Sequence, residues 1–351
     1  MPQTHNPRSE FQPETLFASL TWFDHWLAAF GGPRSGYWPR QPTTPPRIAY
    51  VIQDKRVGPI GLRVALAAAN SHTPRFDVIG QVTPTSQQLE QMMTDLSVSV
   101  LVFPYLAPTS QLIAWTMSET RPFRWQRTFC EEAPFINCAG NWQDYLESRG
   151  QTRRTSWQKY ERRLSRLGAV FEVMKSWDEI SPCLPEVLQI EASGWKGREG
   201  SSIVQDPATR RFYEGICNNL AQTGKLRLFL FRRNGQIIEF QLATLHAGTL
   251  TGLKASYLDE FAKESPGQAL QFWITRWAFA EQDVQTYDLL GPSSEYKLRF
   301  STGSERLETL YVFAHNLAGV IAWLRWSAAP RLRHLWRPIL AKKTVLRGQI
   351  G

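Results

Sequence analysis

The sequence predicts a mixed α/β fold in which most strands are antiparallel. Three consecutive segments, residues 225–233, 236–246 and 249–257, are rich in Leu, Phe, Ile and Thr, as half-buried β-strands are. Asn234-Gly235 and Ala247-Gly248 separate them, and an Asn-Gly pair between two such segments is a strong signal of a tight hairpin. Segments with helical spacing of apolar residues precede and follow this meander, which predicts helices that flank a sheet.

Length and composition limit the class of protein. The chain has 351 residues, of which 42% are hydrophobic, and this length favours two domains over one. The first ten residues contain no apolar segment typical of a signal peptide, and no apolar run approaches the ~20 residues that cross a bilayer. These observations predict a cytoplasmic protein.

The net charge is +9 and the isoelectric point is near 9.5. Such an excess predicts an anionic partner, which could be a nucleotide cofactor, an acidic carrier protein, RNA or a membrane surface. The four cysteines form no C-x-x-C pair and the six histidines form no H-E-x-x-H motif. We therefore expect no metal site and no disulfide framework, only buried free thiols.

The first half of the sequence predicts alternating helices and strands. The first element is an amphipathic helix that ends at a Gly-Gly pair. The predicted helices are 14–30, 86–96, 110–119 and one that begins near Asn141, and the predicted strands are 47–53, 61–67, 76–80, 97–105 and 125–130.

A basic helix is predicted at residues 156–167, with Thr155 and Gln158 as its capping box. Its apolar face carries Trp157 and Leu164, and Lys159, Arg162, Arg163 and Arg166 fall largely on the other face. The basic face has two interpretations, a solvated surface or a binding surface for an anion.

A loop rich in glycine and serine lies between predicted helices at residues 180–193 and 207–222. Trp195 and Lys196 begin it, and a Trp beside a cation in such a loop could close over a substrate. A surface turn held by one buried Trp is the alternative.

The turn Ser265-Pro266-Gly267-Gln268 follows the meander and predicts a helix start. Ser265 and Gln268 fit a capping box, and proline suits the first helical position. Gly267 lacks a Cβ, so an anion could approach the N–H groups and the positive end of the helix. A simple helix start is the alternative for this motif alone. The predicted helix runs through Phe279 and a strand follows at residues 286–290.

Several motifs together resemble one family. They are Trp195-Lys196-Gly197 with Gly200-Ser201, Lys254 to Tyr257 followed by Asp259, Ser265-Pro266-Gly267 with Leu270, and Tyr287-Asp288 followed by Gly291 and Tyr296-Lys297. In these positions the chain resembles the FemAB-related acyltransferases of the GNAT superfamily, including the CelD/BcsL-type proteins of bacterial cellulose operons. The resemblance extends from about Trp22 to Phe300 and is more specific in the second half.

The resemblance implies tandem GNAT-like modules, each a mostly antiparallel mixed sheet flanked by helices. Residues 1–145 would form a degenerate N-terminal module, residues 146–315 the acyltransferase domain, and residues 316–351 a basic amphipathic tail. It also implies acetyl-CoA or another acyl-CoA as donor, without a metal. Its cofactor site would comprise Ser256, Lys263, Ser265, Gly267, Gln268 and Ala269. The family usually has more glycines in this turn than the single Gly267 found here.

Transfer from a thioester requires a deprotonated nucleophile, donors for the oxyanion and an acid for the leaving thiolate. No cysteine or serine lies in a recognisable nucleophile motif, so we expect direct attack in a ternary complex. The resemblance implies Tyr296 as the acid, and Asp259 and Asp288 as bases or substrate anchors, with Tyr257 near the reacting carbonyl. Substrate binding would involve four further residues, Trp195, Lys196, Lys254 and Lys297.

The tail contains seven Lys or Arg residues and no acidic one, interleaved with Trp323, Trp326 and Trp336. This composition predicts either peripheral membrane contact at the inner face or a helix packed on the domain.

Three functions are compatible with these features of the sequence. The first is an acyltransferase acting on a small-molecule, saccharide or lipid acceptor, linked to envelope polysaccharide or lipid synthesis. The second is a FemAB-type transferase that uses aminoacyl-tRNA, and the third is an inactive scaffold of a polysaccharide synthase complex.

Overall fold

The computed structural model describes residues 15–41, 45–57, 60–121, 124–193 and 203–328. These residues form a mixed α/β structure, which confirms the predicted fold class. The strands are β1 (Ser35–Trp38), β2 (Ile48–Val57), β3 (Ile60–Ala67), β4 (Val100–Leu106), β5 (Trp125–Asn137), β6 (Val170–Met174), β7 (Leu226–Arg233), β8 (Gln236–His246), β9 (Thr249–Tyr257), β10 (Thr286–Asp288) and β11 (Gly303–Phe313).

The α-helices alternate with these strands. They are α1 (Leu20–Phe30), α2 (Ser86–Asp95), α3 (Gln111–Ser118), α4 (Trp142–Ser148), α5 (Gln151–Arg166), α6 (Trp177–Ile180), α7 (Leu184–Ser193), α8 (Pro207–Gln222), α9 (Pro266–Ala280), α10 (Glu295–Leu298) and α11 (Leu317–Trp323).

The chain forms two compact units. The first contains the residues up to Gly31, Asn70–Pro74 and Glu131–Leu307, and the second contains Gly32–Ala69, Arg75–Cys130 and the residues from Glu308 onward. The sequence interpretation placed helix α1 in the N-terminal module, whereas the structure groups α1 with the second half of the chain. The indole of Trp22 on α1 contacts the ring of Phe212 on α8, with ring centroids 5.3 Å apart.

In the second unit the strand order is β1-β2-β3-β4-β11. Strands β2 and β3 form an antiparallel hairpin, and β3 pairs with β4 in parallel. Helices α2 and α3 confirm the predictions for 86–96 and 110–119. The strand predicted at 76–80 is wrong, because only an isolated bridge between Arg47 and Ile79 forms there.

In the first unit the strand order is β5-β10-β9-β8-β7-β6. All neighbours are antiparallel except β9 and β10, which are parallel. The predicted meander is confirmed as β7, β8 and β9. Its loops contain Asn234 and Ala247 with φ of 48° each, followed by Gly235 and Gly248 with positive φ, as two-residue hairpin turns require.

Helix α5 packs its apolar face on helix α9, and Trp157 stacks on Phe300 with centroids 4.7 Å apart. The capping box predicted at Thr155 and Gln158 is wrong, because α5 begins at Gln151 and Thr155 lies inside it. Gly150 precedes the helix with φ of 76°, a conformation that glycine adopts at little cost.

The described start of the tail belongs to the second unit and packs on its core. Trp323 and Trp326 pack against its core residues, which include Leu62, Val64 and Phe313. Packing on the domain is therefore observed for this part, and residues 329–351 lie outside the described residues. Within the described residues no helix has both the length and the apolar character needed to span a membrane.

Candidate functional site

Strands β9 and β10 separate at the centre of the first unit. They pair only between Thr249–Thr251 and Thr286–Asp288, while β9 continues to Tyr257 and remains paired with β8 on its other edge. After Asp288 the chain turns through Leu290 and Gly291, whose φ values are 47° and 71°. Within the described strands, the second half of β9 therefore has one open edge.

Backbone N–H groups of β9 point into this opening. The N–H of Leu258 donates to the carbonyl of Ile238 on β8 at 3.0 Å. Because neighbouring residues of a strand direct their N–H groups to opposite edges, the N–H groups of Ala255 and Tyr257 face the opening. A shift in the β8–β9 register between Leu242 and Ala243 leaves an extra residue on β9, a bulge of the kind found beside active sites.

The predicted site residues of β9 have side chains on opposite faces of the sheet. Residues directly opposite one another in an antiparallel pair share a face, so Tyr257 lies with Glu239 on the face that carries α9. Ser256 donates its hydroxyl hydrogen to the carbonyl of Ile190 on α7 at 3.4 Å. Lys254 lies over the Tyr213 ring of α8 at 5.4 Å. The side chains of Ser256 and Lys254 therefore point away from Gly267.

Helix α9 begins without the predicted capping box. Ser265 is left-handed, with φ of 57°, and its side chain caps no N–H. A 3-10 helix at Asp259–Glu264 leads into it. The Ser265 carbonyl accepts hydrogen bonds from the N–H groups of Gln268 and Ala269, at 3.1 and 3.4 Å. The cofactor site was predicted to include Gly267, Gln268 and Ala269. Of their three N–H groups, only that of Gly267 has no hydrogen-bond acceptor among the described residues.

Gly267 leaves space beside the first turn of α9. A Cβ atom placed there would contact one atom, Oε1 of Glu239, at 3.6 Å. Just before this turn in the chain, the carbonyl of Lys263 accepts a hydrogen bond from the Arg163 guanidinium of α5 at 3.3 Å. The exposed basic face of α5 thus reaches the start of α9.

Tyr296 belongs to a hydrogen-bond network between α9 and the sheet. Its hydroxyl lies 3.0 Å from the Gly267 carbonyl and 3.3 Å from Oε1 of Gln271, and it donates to these acceptors. The Tyr287 hydroxyl donates to the same Gln271 oxygen at 3.4 Å, and Gln241 donates to Tyr287. Burial raises the pKa of both phenols. The proton of Tyr296 is held within this network.

The remaining predicted residues lie at the ends of the strands. Asp288 accepts a hydrogen bond from the N–H of Leu290 at 2.8 Å, and Lys297 donates to the carbonyls of Leu290 and Pro292. Both therefore stabilise the turn after β10. Asp259 begins the 3-10 helix before α9, and Lys263 is exposed. Trp195 and Lys196 lie outside the described residues.

The sequence interpretation missed Glu239 on β8. Its side chain is 2% exposed, burial raises its pKa well above the ordinary value, and among the described residues its Oε2 has no hydrogen-bond partner. One signal was available, because Glu239 is the only acidic residue of β8 and lies between Ile238 and Phe240.

The described residues contain no group of three or more His, Cys, Asp or Glu side chains that could hold a metal ion. The four cysteines are free, but only Cys138 and Cys217 are buried. Burial raises the pKa of each of these two thiols to about 12.

Gly252 on β9 leaves space for the Gln241 side chain, which belongs to the hydrogen-bond network. A Cβ atom at this position would lie 2.7 Å from Nε2 of Gln241, which donates to Tyr287. We predict that Gly252→Ala displaces Gln241 and destabilises the protein by about 1–3 kcal/mol. Urea denaturation measures this change.

Gly61→Ala is the matched control, because Gly61 also lies in a strand and has open space around its Cβ position. An equal effect of both substitutions would show that the approach of Gln241 to Gly252 is unimportant.

One known protein family matches the part of the chain that carries this site. Residues 151–298 match the family described as the acetyltransferase (GNAT) domain. The match confirms the expectation that the protein is an enzyme of the acyltransferase class. A search of curated proteins found no match.

Three solved structures share the fold over most of the chain. The C-terminal domain (DUF2156) of a protein named as a lysylphosphatidylglycerol synthetase from Agrobacterium fabrum is 11% identical, with TM-score 0.54, covering 87% of this chain and 90% of that one. L-PGS from Bacillus licheniformis is 12% identical, with TM-score 0.50 and coverage of 88% and 96%. FemX is 12% identical, with TM-score 0.52 and coverage of 88% and 94%. These likenesses concern the fold alone.

Proposed function

We propose that the protein transfers an acyl group, such as acetyl, from acyl-CoA to an amine or hydroxyl acceptor by direct attack in a ternary complex. The separation of β9 from β10 is the observation that carries this proposal. It leaves a slot lined by an open strand edge and bounded by the start of α9. Such a slot suits an extended acyl-pantetheine arm.

The residues of the slot fit this donor. The N–H groups of Ala255 and Tyr257 face the opening and would bind the thioester carbonyl, where they would stabilise the oxyanion of the tetrahedral intermediate. The Gly267 N–H and the positive end of α9 would bind the pyrophosphate. Arg163 and Lys263 would add positive charge beside it.

Direct attack agrees with the state of the described thiols. A thiolate is the nucleophilic form of cysteine, and burial raises the pKa of Cys138 and Cys217 to about 12. Neither thiol is therefore suited to form an acyl-enzyme near neutral pH. Asp259 and Asp288 are proposed to anchor the acceptor or take its proton, and Lys297 to bind an anionic group on it.

Donor identity is tested by native mass spectrometry with acetyl-CoA, longer acyl-CoAs and tRNA. We expect acetyl-CoA to bind the wild-type protein. Gly267→Val should weaken that binding about tenfold, because a branched side chain would fill the space beside the first turn.

Gly140→Val is the control, since a Cβ atom at Gly140 meets nothing within 4 Å and the residue lies before α4, away from the start of α9. Binding of tRNA without acyl-CoA would favour the aminoacyl-tRNA alternative. Binding of neither class would favour the scaffold.

The aminoacyl-tRNA alternative has one specific observation in its favour. Arg153, Lys159, Arg162 and Arg166 of α5 are exposed, and within the described part of the chain none of them forms an ion pair with a carboxylate. A helix face of this kind would suit a polyanion such as RNA.

We also propose that Tyr296 contributes to turnover. Tyr296→Phe removes the hydroxyl that is proposed to protonate the leaving thiolate, together with its hydrogen bonds to the Gly267 carbonyl and Gln271. We expect kcat to fall about tenfold while acyl-CoA affinity changes less than twofold.

Tyr160→Phe on α5 controls for the loss of a phenolic hydroxyl elsewhere in the first unit. Wild-type turnover in Tyr296→Phe would remove Tyr296 from the mechanism.

The start of the tail supports a proposed membrane contact. Leu317, Val320 and Leu324 are 76%, 49% and 49% exposed, and their spacing places them on one side of the helix. A row of apolar side chains followed by a basic sequence suits an anionic bilayer surface, and would bring the enzyme to a lipid or saccharide acceptor at the envelope.

Replacing these three residues together by Asn should reduce binding to vesicles that contain phosphatidylglycerol at least about tenfold. Sedimentation with vesicles measures the bound fraction, with neutral phosphatidylcholine vesicles as control. Undiminished binding by the triple variant would exclude this surface.

A further inference from the structure

Four cations form a row along α5, namely Lys159, Arg162, Arg163 and Arg166. The middle two lie three or four residues from each end of the row, and side chains at these spacings share one side of a helix. Lys159, Arg162 and Arg166 are exposed, and in the described part of the chain none of these three forms an ion pair with a carboxylate. Like charges four residues apart destabilise a helix, so the row favours a partner that carries negative charge.

The charge of the row is not compensated within α5. Glu161 is the only acidic residue of this helix. Because an α-helix turns by about 100° per residue, Glu161 lies roughly 100° or more around the helix from every member of the row. The hydrogen bonds of the two middle arginines go to neutral groups, since Arg162 donates to the carbonyl of Gln158 and Arg163 to that of Lys263.

The row lies beside one end of the slot. The Arg163 guanidinium is 3.3 Å from the carbonyl of Lys263, which precedes Gly267 by four residues. The proposed function places the phosphate end of the donor at Gly267. Whatever is attached to that end of the donor would therefore lie near α5.

The first turn of α9 offers few donors for a diphosphate. The N–H groups of Gln268 and Ala269 already donate to the Ser265 carbonyl, and only that of Gly267 has no acceptor among the described residues. CoA carries two linked phosphates at the end of its pantetheine arm and a third on its ribose. The same arm on a carrier protein is attached through a single phosphodiester, which requires fewer donors.

We propose that an acidic carrier protein also presents the acyl donor to this enzyme, with its acylated phosphopantetheine arm in the slot and its surface docked on the basic row of α5. This rests on the proposed function, because the arm occupies the same slot as that of acyl-CoA. The thioester is the same in both donors, so β9 would contact it in the same way.

The row suits a protein surface better than RNA. From Lys159 to Arg166 it extends about 10 Å, because an α-helix rises 1.5 Å per residue, and this length matches the diameter of one acidic helix of a partner. Single-stranded RNA is commonly held by bases that stack on exposed aromatic side chains. Both aromatic residues of α5, Trp157 and Tyr160, pack against the core of the first unit, so α5 offers no such ring.

The transfer step balances with this donor. The acceptor forms a bond to the acyl carbon, and the C–S bond breaks with its electron pair on sulfur. The proton that the acceptor loses passes to the thiolate. The products are the acylated acceptor and a carrier protein with a free thiol on its arm.

Calorimetric titration with an acidic bacterial acyl carrier protein tests the docking. Two forms of the carrier are compared, one with an acetylated phosphopantetheine arm and one without an arm. We expect the acetylated form to bind the wild-type protein at least about tenfold more tightly, because the arm and the docking surface then bind together. The affinity should fall as NaCl rises from about 50 to about 300 mM.

The double variant Arg162→Glu with Arg166→Glu should weaken binding of the acetylated carrier at least about tenfold. Its affinity for acetyl-CoA should change less than about twofold, which also shows that the variant is folded. The matched control is Arg211→Glu with Arg276→Glu, which makes the same change of charge at exposed positions of α8 and α9. We expect the control to bind the carrier like the wild-type protein.

No binding of the acetylated carrier to the wild-type protein would overturn the proposal, whatever the variants do. Equal affinity for the carrier with and without its arm would overturn it, as would equal losses in the two double variants. It would also fail, in favour of RNA, if tRNA bound more tightly than the carrier and lost affinity in the α5 variant.

Acetyl-CoA binding to the wild-type protein separates this proposal from the proposed function. If acetyl-CoA bound and the acetylated carrier did not, the docking of a carrier protein alone would be wrong. If neither bound, the proposed function would fail as well.

Discussion

The hydrogen bond from Tyr296 to the Gly267 carbonyl constrains the whole site. Gly267 lies in the first turn of α9, and Tyr296 lies on α10, so this bond connects the helix to the loop that follows β10. Gln271 extends the connection, since its side-chain oxygen accepts from both Tyr296 and Tyr287. The position of α9 relative to the separating strands therefore depends on buried polar groups as well as on apolar packing.

Such a network has strict steric and polar requirements. Gln241, Gln271 and Tyr287 are each at most 7% exposed, and a buried polar side chain that loses its partner destabilises the fold. Gly252 leaves room for Gln241 only because it has no side chain. The adjacent β-bulge shifts the register of β9, so the strand that offers its N–H groups to the slot is also the strand that accommodates the network.

The parts of the fold that could be predicted are those that depend on residues close together in the sequence. Asn234-Gly235 determined the hairpin of β7 and β8, and Asn141 caps α4 as expected. Strand β11 was not predicted, and the left-handed Ser265 contradicted the expected capping box. The conformation of Ser265 depends on the preceding 3-10 helix, a context that the local Ser-Pro-Gly-Gln pattern does not contain.

The structure brings some of the predicted site residues together and separates others. Gly267 and Tyr296 do lie together, but Ser256 and Lys254 point to the opposite face of the sheet because the alternation of β9 places them there. Glu239, Gln241 and Gln271 were missed. Each is a polar residue in an apolar segment, and its role depends on contacts with residues far away in sequence.

The first turn of α9 has two chemically different sides. Its backbone offers the N–H of Gly267, with the Arg163 guanidinium nearby at the Lys263 carbonyl, and this arrangement favours an anion. On its other side, three buried side-chain oxygens have no hydrogen-bond donor among the described residues, namely Oε2 of Glu239, Oε2 of Glu264 and Oε1 of Gln268. An anion that bound among those oxygens would be repelled by them. An anionic ligand at this turn is therefore directed to the side of the Gly267 N–H and the Arg163 guanidinium, because the other side offers it no donor.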